Sequence, residues 1–486
     1  MSLETQFAQL RKDYFRNPLP GVNQRKAALK ALRQQLLAMQ PELYQAAAKD
    51  FGQRSASETR LLEVLPSINS IDYSRRRLKG WMKPQKRHVS PLFWPASNSV
   101  EYQPLGVVGI IVPWNYPIFL ALGPLVAAIS AGNKVMLKLS EFTPAINQVL
   151  KQLIEKALPD CALVIEGEAE VAAAFSKLPF DHLLFTGSTA VGRHVMQAAA
   201  LNLTPVTLEL GGKSPVLFGP DLHMNDYADR IIFGKCANGG QTCVAPDYLL
   251  VPAGKEQRAA EKLKAHYQKM FPQGRLSKDW TSVINPRQWQ RLQHALQQAE
   301  AAGAQIISCG DALDVNDPLR RMDLQLVLNA PLDCLLWQQE IFGPVLPIYG
   351  YRSTKEAIEF IQARPHPLAF YLFSNDKELQ QRCREQIHAG GVCINDTLVH
   401  VGQDDLPFGG VGPSGIGHYH GKEGFLTFSH AKAVHRKGRL SSGIFAYPTL
   451  RARLLDKVLD LWFGYRIADA DGPDDSRQAL HQQEGN

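Results

Sequence analysis

Apolar and polar positions change period twice along the chain, and the changes divide it. Over residues 6–78 apolar residues recur at helical spacing, as in "RKAALKALRQQLLAMQPELYQAAAKDF", which predicts amphipathic helices. The following "VSPLFWPASNSVEYQPLG" is extended and broken by proline, and predicts a projecting hairpin rather than a core element. From Val107 short apolar runs alternate with helical stretches. "VVGIIV", "KVMLKLS", "ALVIEG", "DHLLFTGS" and "PVTLEL" read as strands. An apolar stretch ending at "AGN", then "PAINQVLKQLIEKAL", "AEVAAAFSKL" and "TAVGRHVMQAAAL", read as the helices between them. Such alternation predicts right-handed βαβ crossovers, a parallel sheet and a doubly wound, nucleotide-type domain. After Gly211 a second α/β stretch contains the amphipathic "PRQWQRLQHALQQAEAAGA" and the pair "EAIEFIQARPHPLAFYLFS".

Length and composition add little that conflicts. The 486 residues exceed one ordinary core, and 45% hydrophobic with 20% charged residues describes a globular protein. The net charge of +7, from 53 basic and 46 acidic residues, does not call for nucleic acid. One basic run, "SRRRLKGWMKPQKRH", pairs charge with Trp81, but a solvated helix end explains it as well. The seven cysteines are odd in number, scattered and without a CxxC pair. A disulfide framework or a zinc site is therefore not expected, and a reducing, cytoplasmic setting is. The N-terminus lacks the order of a signal peptide, and no apolar run reaches the ~18 residues of a membrane span.

Four stretches carry candidate chemistry. "FTGSTAVG" places Gly187, Ser188 and Gly192 at a strand–helix junction, where free N–H groups and the helix dipole suit a pyrophosphate; a tight turn is the plain alternative. "LKLSE" puts Lys138 and Glu141 at the carboxyl end of a strand, where a carboxylate can accept ribose hydroxyls; an ordinary ion pair is the alternative. In "VTLELGGKSP", Glu209 ends an apolar strand before two glycines, which suits a carboxylate in a partly dry crevice acting as a base. In "PWNYP", two prolines fix the loop of Asn115, whose amide can donate a hydrogen bond. Cys243 in "NGGQTCVAP" is either a nucleophile or, like most lone cysteines, packing.

These motifs, with "EIFGPVLP" and "LPFGGVGPSGIGHYHGKEGFLTFSH", stand in the order found in the aldehyde dehydrogenase superfamily, which the chain resembles over roughly residues 6–437. The ending "GHYHGKEGFLTFSH" resembles the class 3 branch and, within it, bacterial coniferyl aldehyde dehydrogenases. The resemblance implies an α/β fold: a doubly wound parallel-sheet NAD-binding domain (residues 1–80 and 103–208) and an α/β catalytic domain (209–395). A small β bridging arm (81–102 and 425–440) and a C-terminal helix with a polar tail (441–486) complete it. It also implies Cys243 as nucleophile, Glu209 as general base, and Asn115 with the Cys243 backbone N–H as oxyanion hole. Lys138 and Glu141 would hold the adenosine ribose, the turn from Gly187 through Ser188 to Gly192 the pyrophosphate, and Glu340 and Phe342 the nicotinamide riboside. NAD is the implied cofactor, with NADP possible. The expected substrate is coniferaldehyde or a related aromatic or medium-chain aldehyde, and the expected assembly a homodimer bridged by its arms.

Class 3 fatty aldehyde enzymes carry a hydrophobic C-terminal anchor. Here "PTLRARLLDKVLDLWFGYRIAD" is amphipathic, with Leu450, Leu454, Val458 and Leu461 on one side, which suits a helix packed at the substrate mouth or dimer surface. Rival functions are a cysteine acyl-hydrolase using His418 or His420, a nucleotide-binding protein without turnover, and a CoA-acylating dehydrogenase. The first leaves the βαβ series unexplained, the second Glu209 and Asn115, and the third a base placed for water.

Overall fold

The computed structural model describes residues 1–439 and 456–463. Two units separate: Met1–Lys83 with Tyr102–Ala431, and Pro84–Glu101 with the chain from Lys432 onward.

The first unit holds the helices foreseen at the N-terminus, among them Val22–Ala38, Gln40–Phe51 and Leu65–Trp81, and two sheets. The six-stranded sheet runs in the order Gly415–Ile416, Val206–Leu210, His182–Gly187, Val107–Ile111, Lys134–Lys138, Ala162–Ile165. The last five are parallel, and the intervening helices make them the doubly wound series expected. Strand Val107–Ile111 lies centrally, with its sequence successor on one side and His182–Gly187 on the other. The chain therefore reverses direction there, and a crevice opens at the carboxyl ends of these two strands. The seven-stranded sheet orders Gln305–Ser308, Gln325–Leu328, Val345–Tyr351, Tyr248–Pro252, Pro215–Phe218, Ala369–Phe373, Gly391–Ile394, parallel except at the Gln305–Ser308 edge.

Helix Pro117–Ala131 is apolar on every side because every residue in it is buried. Its first N–H groups are satisfied from another helix: Glu63 accepts from Ile118 N at 2.7 Å and Phe119 N at 3.2 Å. Glu63 also pairs with Arg54 at 3.0 Å, both side chains fully enclosed. A negative charge at a helix N-terminus is favourable, and the guanidinium offsets the cost of burying it.

In the second unit, Gln85–Arg87 pairs antiparallel with Ser97–Pro104, giving the expected hairpin, and Ser429–Arg436 adds a third strand. Residues Gly421–Thr427 before it are helical, with Phe425 and Phe428 buried. Trp81 is buried against Tyr73 and Phe425, so the indole that the basic run itself carries is not open for a base to stack on. Within the C-terminal amphipathic stretch, helix Asp456–Phe463 is present with Leu461, Trp462 and Phe463 exposed; Leu450, Leu454 and the polar tail lie outside the described residues. Among the described residues no helix is long and apolar enough to cross a membrane.

Candidate active site

The loop after Val107–Ile111 and the junction after His182–Gly187 meet at the crevice of the six-stranded sheet. There they line a cavity of about 320 Å³ with residues from the second sheet's connections. Asn115, Gly187, Ser188, Glu209, Cys243, Glu340 and Phe342 all face this one space, although 227 positions separate the first and last of them (342 − 115).

Cys243 is half-buried, at the end of a turn that few sequences can make. Asn238, Gly239 and Gly240 have φ of 54°, 59° and 76°, a region that favours glycine and tolerates asparagine. A Cβ on Gly240 would fall 2.4 Å from the Gly343 carbonyl oxygen, so the "GG" is required by close backbone approach. The turn is tied down on all sides. Asn238 N donates to Glu58 Oε1 at 2.7 Å, and Asn238 Nδ2 donates to the Asn115 carbonyl at 2.9 Å. The enclosed Gln241 amide donates to Asn238 O and Ser282 O and accepts from Ile284 N. Asn115 Nδ2 donates to Gln241 O at 3.1 Å, which leaves its second N–H free. The Tyr116 hydroxyl bonds Thr242 Oγ1 at 2.7 Å.

Two carboxylates share the cavity with the sulfur. Glu209 is 3% exposed, and neither of its oxygens has a hydrogen-bond partner among the described residues; burial holds its carboxyl well above the usual range. Glu340 is raised to about 8, first by burial and then by the charge of Asp247, against a hydrogen bond from Gly212 N. Burial, Glu340 and Glu209 together push the Cys243 thiol up to about 12, against backbone N–H groups of Cys243 and Val244. The segment carrying Glu340 is clamped. Arg291 donates to the Glu340 and Ile341 carbonyls at 3.2 and 2.5 Å, and Ile341 N donates to Asp247 at 2.9 Å. Lys213 bonds Asp247 and the carbonyls of Leu336 and Gln339. Phe342 follows at φ 48°, a strained value for a phenylalanine, and its ring lies edge-to-face on Trp114 at 5.3 Å.

Lys138, Glu141 and Gly192 do not line the cavity. Lys138 Nζ, almost fully enclosed, bonds Glu141 at 3.3 Å and Leu139 O at 2.8 Å. The pair sits at the carboxyl end of Lys134–Lys138, two strands from Gly187, or about 10 Å along the sheet edge. Gly192 lets helix Thr189–Ala200 approach its sheet: a Cβ there would meet Leu210 at 2.7 Å. Ser188 caps that helix, whose N-terminus opens on the cavity. An extended dinucleotide fits this donor set. A carboxylate lies at one end of the sheet edge, a helix N-terminus in the middle, and Glu340 with one unpartnered oxygen beside the sulfur.

Glu58, Glu63, Gln241, Gln288 and Arg291 were not foreseen. The first two read as polar positions of solvated helices, and Arg291 as the polar face of "PRQWQRLQ"; only the distant partners reveal them. Of the rival bases, neither His418 nor His420 lines the cavity with Cys243.

A nucleotide-type crevice joined to a cysteine and a buried carboxylate defines an oxidoreductase-like arrangement of parts, and the comparisons make it specific. A model described as "Aldehyde dehydrogenase family" matches residues 19–434, and the chain belongs to that family. It is 52% identical over 447 residues to a "Probable coniferyl aldehyde dehydrogenase" of Pseudomonas aeruginosa, covering 92% of this chain and 93% of that one. Its fold matches the "Substrate bound state of Staphylococcus Aureus AldH" with TM-score 0.89 and 37% identity, over 95% and 100% of the two chains. A Mycobacterium tuberculosis aldehyde dehydrogenase complexed with NAD+ matches with TM-score 0.80 and 26% identity, over 89% and 90%. The protein is an enzyme that oxidises aldehydes using NAD(P).

Proposed function

We propose that the enzyme oxidises an aromatic propenal of the coniferaldehyde type to its acid through a thioester on Cys243. The observation that carries the mechanism is the single cavity holding Cys243, Asn115 and the unpartnered Glu209. The Cys243 sulfur attacks the carbonyl carbon as the thiol proton leaves to solvent. The free N–H of Asn115 and the Cys243 backbone N–H receive the oxyanion, each worth about 3–4 kcal/mol in comparable sites. A bound nicotinamide cofactor would supply the hydride acceptor. Glu209, whose burial makes it a stronger base than a surface carboxylate, takes a proton from water as the water oxygen attacks the thioester carbon; the C–S bond then breaks, the acid leaves, and Glu209 returns the proton to the sulfur.

Lys138 and Glu141 would hold the adenosine ribose, Gly187, Ser188 and Gly192 would form the pyrophosphate turn, and Glu340 and Phe342 would position the nicotinamide riboside. Glu141 favours NAD over NADP, because a 2′-phosphate beside a carboxylate is repelled. Among the described residues the outer strands of the three-stranded sheet pair on one side only, which supports a homodimer, and seven free cysteines fit a reducing, cytoplasmic setting.

For the substrate, the support is the relative's name and the aromatic walls. Trp114 lines the cavity, and Tyr116 and Phe119 follow Asn115 into the buried helix. An aromatic pair adds about 0.5–1.5 kcal/mol beyond area burial, so the preference is graded rather than absolute. Comparing kcat/KM for coniferaldehyde, benzaldehyde, hexanal and acetaldehyde tests it. Coniferaldehyde should lead and acetaldehyde trail by at least about tenfold; acetaldehyde at parity would sink the aromatic reading.

A further inference from the structure

Buried polar atoms with no partner among the described residues occur at several places, and one group of them lies near the reacting atoms. Tyr419 and His420 are 1% and 7% exposed, yet the Tyr419 hydroxyl and His420 Nε2 bond nothing among the described residues; nor does either ring nitrogen of His400. Tyr419 meets the His420 ring at 4.6 Å and His420 feels the charge of His400, so these groups form one neighbourhood with aromatic walls. Phe408 stacks on His420 at 5.0 Å, Phe119 meets the same imidazole at 6.0 Å, and Tyr371 meets His400 at 5.8 Å. The neighbourhood adjoins the reacting groups. Tyr371 donates to the carbonyl of Val244, next to Cys243, and Tyr419 feels the charges of Glu209 and Cys243.

Buried polar groups are almost always hydrogen-bonded, so several enclosed together without partners mark a place where a ligand supplies them. Both imidazoles are neutral at pH 7, because burial lowers them to about 4. A neutral imidazole accepts one hydrogen bond and donates another, and Tyr419 can do both. No cation is offered, so the set does not suit a carboxylate or a phosphate. It suits a neutral hydroxyl carried on a flat ring that the aromatic walls can hold.

Resting on the aromatic substrate reading, we propose that His420, with His400 and Tyr419, recognises the ring hydroxyl of a phenolic aldehyde and so selects hydroxylated aromatic substrates over unsubstituted ones. His420 and His400 determine specificity, because they meet the substrate away from its reacting carbon.

The test compares kcat/KM for 4-hydroxycinnamaldehyde and 4-methylcinnamaldehyde, a near-isosteric pair differing in the hydrogen-bonding group. The wild-type ratio should be at least about tenfold, since a site built to bond a hydroxyl penalises its absence. His420→Phe should bring the ratio to within about twofold, and His420→Asn, which keeps a donor and an acceptor, should restore part of it. His400→Phe provides a second variant should His420→Phe fail to fold. A wild-type ratio near one, or a ratio that neither Phe variant moves, overturns the proposal. The same assay with hexanal separates the two readings. Hexanal above both cinnamaldehydes defeats the aromatic preference, whereas the ratio within the pair decides hydroxyl recognition alone.

Discussion

Glu209 and Glu340 flank Cys243 and, with burial, hold its thiol near 12, so almost none of it is thiolate at neutral pH. The nucleophile must therefore lose its proton as it attacks the carbonyl. Cys243→Ala is expected to abolish NADH formation, by at least about 10⁴-fold, with a cooperative melt retained. Cys236 ends a helix at 5% exposure, so Cys236→Ala should cost only roughly 1 kcal/mol of packing and leave turnover nearly unchanged. Comparable losses in both variants would contradict the assignment.

Glu340 gives a second residue-level test through pH. Its folded-state value of about 8 lies above the unfolded 4.5, so between those values the folded protein retains a proton the unfolded chain has lost. The stability this contributes is fully present below about 4.5 and lost as pH rises through 8. Glu340→Gln cannot ionise and escapes the loss. Its Tm should exceed wild type by on the order of 2 °C at pH 8.5, the gap closing toward pH 4.5. A gap independent of pH would mean that Glu340 is not desolvated.

At the level of elements, the alternation of short apolar runs and helices was legible because the strands are buried on both faces and the helices after Lys134–Lys138 and His182–Gly187 on one. What escaped depends on distant partners. Strand Gly415–Ile416 has only two residues, and its pairing with Leu208 and Glu209 lies more than 200 positions back. Glu63 sits in a π-helical turn at Arg60–Val64 and reads as a solvated charge until Arg54 and the N-terminus of Pro117–Ala131 enclose it. The turn at Asn238–Gly240 was visible as a glycine-rich approach, but its left-handed path and its contact with Gly343 were not. Gly240→Ala tests that turn. A left-handed alanine costs about 1–3 kcal/mol and here also meets a carbonyl. Even a 1 Å displacement of Cys243 should lower kcat by about 100-fold. Wild-type kcat and Tm in this variant would show that the turn does not set the sulfur's position.

Over the whole molecule, the candidate residues were legible as motifs, yet nothing in their spacing brings Asn115, Glu209, Cys243 and Glu340 to one cavity. The six-stranded sheet does so by reversing its winding between Val107–Ile111 and His182–Gly187, and the seven-stranded sheet by sending its connections back across that crevice. Lys138 and Glu141 lie outside the cavity because they belong two strands further along the same edge. Such an assembly separates oxidation from hydrolysis: Cys243 serves both steps, while water is activated at Glu209 only in the second. Stopped-flow absorbance of Glu209→Gln mixed with coniferaldehyde and NAD measures that separation. One equivalent of NADH per Cys243 should appear in a burst, followed by a steady state slowed at least about 100-fold as the thioester waits for water. Burst-free, uniformly slow NADH formation would contradict a thioester whose release depends on Glu209.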